Sequence, residues 1–208
     1  MKLSFVLLAA MVTAPLGGCI SLLPKPPPAP KVYTLEAGPP PQAPAGAAKQ
    51  IVIAVAQPDP PRALSGADIA WMKDGRIAYV DGAQWAGRGP DLLQALLVHT
   101  IDRSGGVRGA VRAGEGRADS EITWDLITFG VVENGAPQAR FVAQAKLFGA
   151  RSRALIATLE VDESAPLSGR SSAAAAQALQ EASRRAAAKI AAWAVANTPE
   201  PDTGPARP

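Results

Sequence analysis

The 208-residue chain predicts an α+β fold: a single domain with an antiparallel or mixed sheet and two main helices packed on one face. Three observations carry this. Strand-like and helix-like segments follow one another as strands, helix, strands, helix, without the regular βαβ alternation of a doubly wound sheet. From Glu121 the side chains alternate, with Ile122, Trp124 and Leu126 on one face and Glu121, Thr123 and Asp125 on the other, as in a half-buried strand. Two stretches, one after Gly89 and one after Ser171, place apolar residues at intervals of three and four, the period of an amphipathic helix.

In chain order, Val32 to Glu36 is a short strand, a Pro/Ala/Gly loop covers 38–48, and Gln50 to Ala56 is a β-branched, apolar strand suited to the centre of a sheet. Ile69–Lys73 and Arg76–Val80 flank Asp74 and Gly75, a pair that predicts a two-residue hairpin because both turn positions require positive φ. Gly89, Pro90 and Asp91 open the first helix, where the missing amide hydrogen of proline costs nothing; Leu92, Leu93, Leu96, Leu97 and Ile101 are its stripe, and Gly105–Gly106 ends it. Val107–Arg112 is a strand. The strand from Glu121 loses its alternation at Ile127 and Phe129, which predicts either a bulge or a strand end covered on both sides, and Asn134–Gly135 marks the next turn. Phe141, Ala143, Ala145, Leu147 and then Leu155, Ala157, Leu159, Val161 alternate and complete an antiparallel meander. Ser171 or Ser172 caps a long alanine-rich helix with Leu179, Ala182, Ala186, Ile190 and Trp193 facing the core; on its polar side Glu181 and Arg185 are spaced to pair.

The ends are different in kind. Met1–Lys2 and the apolar run that follows are too short to span about 30 Å of hydrocarbon as a helix and predict a signal peptide over 1–18. Leu16-Gly17-Gly18-Cys19 resembles the lipobox of bacterial lipoproteins, in which cleavage precedes the cysteine and the residue carries covalent lipid. Cys19 is therefore the expected lipidation site; three acyl chains on one residue make release from a membrane negligible. Five of the 20 prolines fall between Pro24 and Pro30, so 19–31 is a Pro-rich tether. From Ile20 to Lys31 it reaches at most about 37 Å as polyproline II. Ile20, rather than aspartate, follows the cysteine, which favours the outer membrane. The tail, 198–208, is Pro-rich and expected to be disordered.

Composition excludes several functions. With 21 Lys and Arg against 18 Asp and Glu there is no basic footprint for nucleic acid. One cysteine and one histidine exclude a disulfide framework, a zinc cluster and a multi-histidine metal site. His99 lies at the edge of the first helix's stripe, no G-x-S-x-G elbow or phosphate-binding glycine motif is present, and no catalytic, cofactor or metal site is expected. Trp124 and Trp193 belong to the core. Trp71, Met72 and Trp85 are the candidates for contact with a partner or an acyl chain, with burial in the core as the alternative reading. Arg108, Arg112, Arg117, Arg151 and Arg153 form a solvated face that could meet an acidic partner or lipid headgroups.

Tyr33-Thr34-Leu35, Ile51 to Ala56, Ile69, Arg76-Ile77-Ala78-Tyr79, Ala83-Gln84-Trp85, Pro90, Leu92, Leu93, Gln94, Leu97, then Thr123, Asp125, Leu126, Phe129, and Ala188, Ile190, Ala191, Trp193 occur in the order seen in the ABC-type transport auxiliary lipoproteins, companions of Mce-type lipid transport systems. The resemblance covers 32–197 and joins the lipobox; Val161 departs from it, standing where an aromatic residue is expected. It implies a non-catalytic, outer-membrane-anchored lipoprotein facing the periplasm. Its expected partners are an Mce-domain protein and the ABC permease and ATPase, with phospholipid or other hydrophobic cargo moving between membranes. A homo-oligomer is left open. The alternative is a structural or pilotin-like envelope lipoprotein that assists assembly of another outer-membrane complex.

Overall fold

The computed structural model describes residues 28–39 and 47–200. Cys19, the signal peptide, most of the Pro-rich tether and 201–208 lie outside the described residues. Eight strands form one mixed sheet: β1 (Lys31–Tyr33), β2 (Lys49–Val55), β3 (Asp68–Lys73), β4 (Arg76–Trp85), β5 (Val107–Arg112), β6 (Ser120–Glu133), β7 (Gln138–Gly149) and β8 (Leu155–Pro166). Helix α1 spans Gly89–Arg103 and α2 spans Ser172–Asn197. The α+β class, the single domain and both helices agree with the sequence reading.

The long strand β6 organises the sheet. Along one edge it pairs antiparallel with β7. Its other edge is shared, in parallel, by β2 at Ser120–Ile122 and by β3 at Val131–Glu133. Between them the chain after β2 fills the gap, where the Asp59 amide donates to the Trp124 carbonyl at 2.9 Å and the Asp59 carbonyl accepts from Leu126 at 2.8 Å. Of the two readings of the broken alternation the bulge is the one present: it lies between Leu126 and Thr128, and it turns Ile127 outward, 53% exposed. β6, β7 and β8 form the predicted meander. The first strand is shorter than expected because only Lys31–Tyr33 finds a partner, the second half of β4.

Both helices cover one face. The α1 stripe Leu93, Leu96, Leu97 and Ile101 is buried, and α2 buries Leu179, Ile190 and nine alanines. Ala139, Ala143, Ala145 and Ala165 on β7 and β8 are fully buried, so small side chains on both layers let α2 approach the sheet closely. Ser171 caps α2 through its Oγ, which accepts from the Ala174 amide at 3.1 Å. Trp193 is only half-buried, at the rim of the core rather than in it. The folded part continues to Thr198, which is buried; its Oγ1 donates to Ala194 at 2.8 Å and its carbonyl accepts from Lys49 Nζ at 2.9 Å.

Candidate interaction surface

The β3–β4 hairpin carries two of the three residues singled out as contact candidates. Asp74 and Gly75 adopt φ of 50° and 72°, so the turn is the two-residue type that the Asp-Gly pair predicts. Register sets Met72 opposite Ile77 and Ala70 opposite Tyr79. On the neighbouring strand Val132 aligns with Met72, and Gly130 stands beside Ala70 with room for the Met72 methyl group above it. Ile77 and Tyr79, 47% and 49% exposed, complete an apolar patch on the sheet face that carries no helix. The Tyr79 hydroxyl donates to the Ala63 carbonyl at 3.3 Å, which fixes the ring against the short 3-10 turn Arg62–Leu64.

Trp71 alternates to the opposite face and has a different role. Its Nε1 donates to Glu133 Oε2 at 2.9 Å, Lys73 Nζ donates to Oε1 at 3.1 Å, and Arg170 engages both oxygens, at 2.9 and 3.3 Å. Glu133 is buried in the structure, and burial alone would raise its pKa. The hydrogen bonds from Arg170, Lys73 and Trp71 prevail and lower it from 4.5 to about 2. The charged carboxylate therefore ties the hairpin to the segment that leads into α2.

Trp85 follows the alternative of core burial, which corrects its place among the contact candidates. It is 2% exposed and stacks on Phe129 with centroids 5.4 Å apart and planes 18° apart, so it is a core residue and offers no surface to lipid or partner. The β4 strand continues past the predicted Val80, through a bulge around Gly82 (φ 61°), and the bend swings its second half inward, where Ala83 and Trp85 bury. Met72 and Trp71 are half-buried. The surface that is exposed is Ile77 and Tyr79, whose spacing of two along a strand was the available signal.

His99 is exposed on α1, and among the described residues it makes no side-chain hydrogen bond. Among the described residues no cluster of three His, Cys, Asp or Glu could hold a metal, and no helix is long and apolar enough to cross a membrane. The tether joins the fold at β1, which runs parallel to β4 and antiparallel to β6. Pro28–Pro30, exposed and without regular structure, lead into β1 opposite Ala83, in the second half of β4.

The family model of the ABC-type transport auxiliary lipoprotein component matches residues 33–191, from β1 into α2. The chain belongs to this family. The chain resembles protein XCC0632 from Xanthomonas campestris at 22% identity, with a TM-score of 0.75 over 80% of this chain and 95% of that one. A second solved structure, of an uncharacterised protein, aligns at 15% identity with a TM-score of 0.62, over 79% of this chain and 98% of that one. Both likenesses are of fold. No curated protein matches the chain in sequence.

Proposed function

We propose that the chain is held in the outer membrane by lipid on Cys19, faces the periplasm, and serves as a non-catalytic accessory of an Mce-type ABC system that moves phospholipid or other hydrophobic cargo between membranes. The observation that carries the reading is the family match over 33–191, downstream of the lipobox Leu16-Gly17-Gly18-Cys19. Ile20 at the sorting position supports the outer membrane. The role is geometric: the anchor fixes one end, the tether limits the gap to about 37 Å, and the folded domain meets the transport partner.

The test combines anchor and reach. Cys19→Ser should abolish lipid labelling and release the protein from the membrane fraction. Deletion of Pro24–Pro30 should weaken crosslinking to the Mce-domain protein and the lipid barrier while lipidation persists; an equally long flexible replacement should be milder, and His99→Ala silent. A silent deletion together with an inactivating His99→Ala would overturn the scaffold reading.

A further inference from the structure

The five arginines that the sequence groups as one solvated face separate into two sets in the fold. Arg112 pairs with Glu115 at 3.9 Å, and Arg153 pairs with Glu121 at 2.7 Å. Arg108, Arg117 and Arg151 join no ion pair among the described residues, and they line one groove of about 780 Å³. They reach it from three places: the start of β5, the loop from β5 to β6, and the turn from β7 to β8. The remaining groove wall is small, with Gly116, Ala118 and Ala150.

One acid, Asp119, also borders the groove, and one of its carboxylate oxygens is already engaged. Oδ2 accepts from the Val52 amide at 2.8 Å, and its carbonyl accepts from the Ala150 amide at 3.0 Å. Asp119 thereby holds the loop in place and offsets one of the three positive charges, leaving a formal excess of two. Guanidinium groups stay charged at any physiological pH and present paired N–H donors that match phosphate oxygens.

We propose that Arg108, Arg117 and Arg151 form an anion site for a phosphate group, of the kind carried by an anionic phospholipid headgroup or by free phosphate. The small groove wall offers no aromatic ring on which a nucleobase would stack, so the chemistry recognised is the phosphate itself. Position adds to the argument. The groove lies beside Ser120, at the opposite end of β6 from Val131 and the hairpin; eleven residues at about 3.3 Å each separate the two ends by roughly 35 Å along the strand. The site therefore lies at the opposite end of β6 from the hairpin patch of Met72, Ile77 and Tyr79, where no apolar contact competes for it. The inference concerns this chain's own chemistry and stands or falls apart from the Mce-type reading, because its test uses no partner.

The test uses the mature chain with Cys19→Ser, so that the anchor does not mask binding. Cosedimentation is measured with vesicles of phosphatidylcholine alone and of phosphatidylcholine mixed equally with phosphatidylglycerol, and inorganic phosphate binding is measured by titration calorimetry. Mixed vesicles should bind and pure phosphatidylcholine should not. The triple variant Arg108→Gln/Arg117→Gln/Arg151→Gln should lose about a hundredfold, at about a factor of five per arginine near an anionic surface. The pair Arg112→Gln/Arg153→Gln, whose charges are already matched, should change binding severalfold at most. Phosphate binding without vesicle binding, lost in the same triple variant, assigns the site to free phosphate; vesicle binding lost in the triple variant assigns it to headgroups. Arg117→Gln alone, on an exposed loop, should show the effect at about fivefold if the triple variant fails to fold. Absence of both kinds of binding, or equal losses in the triple and the paired variants, overturns the proposal.

Discussion

Replacing Gly130 by alanine tests the most crowded backbone contact in the sheet. A Cβ at this position would stand 2.7 Å from Met72 Cε, 2.8 Å from the Ala70 carbonyl oxygen and 3.0 Å from Ala70 Cβ. The Met72 methyl group can swing aside into solvent. The Ala70 carbonyl cannot, because β3 is held to β6 from Trp71↔Val131 to Lys73↔Glu133 and its far end is fixed by the Glu133 cluster. Forcing a methyl group into such a contact costs about 1–3 kcal/mol. Against this, alanine restricts the unfolded chain and returns roughly 0.4–1 kcal/mol. The net expectation is a destabilisation of about 1–2 kcal/mol, which for a chain of this size lowers Tm by roughly 2–8 °C. Urea and thermal unfolding of the mature Cys19→Ser chain would measure it. Adding Met72→Ala to Gly130→Ala should recover little, since the clash with the Ala70 backbone remains. A neutral or stabilising Gly130→Ala, or full recovery in the double variant, would refute the assignment of the cost to β3–β6 pairing.

Two further expectations follow from the same structure. The Glu133 carboxylate has a folded pKa of about 2, below its ordinary 4.5, so its contribution to stability is complete above pH 4.5 and disappears as pH falls from 4.5 toward 2; the stability gap between Glu133→Gln and the parent, followed by urea midpoint against pH, should close across that window, and a gap that stays constant would contradict it. Phe141, 1% exposed and packed near Trp124 and Phe129 with centroids 6.4 and 6.2 Å away, should cost about 3–5 kcal/mol on truncation to alanine, whereas half-buried Trp193→Ala should cost less than half as much in the same denaturant assay; equal losses would mean that Trp193 carries core packing.

Local signals were legible where the physics is local. Asp74-Gly75 determines its turn through two positive φ angles, Pro90 and Ser171 mark helix starts, and the slip in alternation at Ile127 reports the bulge, because each depends on residues next to one another in the chain. The lipobox Leu16-Gly17-Gly18-Cys19 is likewise contiguous, so the expectation of lipid on Cys19 rests on sequence alone. The half-buried state of Trp193 was not readable, since periodicity tells which side of a helix faces inward but not how far the underlying sheet extends beneath it.

By itself the sequence determined the element order, the two apolar helix stripes and the meander from β6 to β8, all properties of short-range pattern. Only the tertiary structure decided that β2 and β3 share one edge of β6, because parallel pairing joins segments whose side chains carry no mark of their partner's register. It also decided which candidates meet the surface. The bend around Gly82 buries Trp85 while Ile77 and Tyr79 stay out, although all three lie on the same strand. The arginines show the same limit: Arg108, Arg112 and Arg117 are close in sequence, yet Glu115 takes Arg112, while Arg151, from a distant turn, joins Arg108 and Arg117 at one groove. Charge pairing depends on distances in space, and those are determined by how the strands are ordered in the sheet.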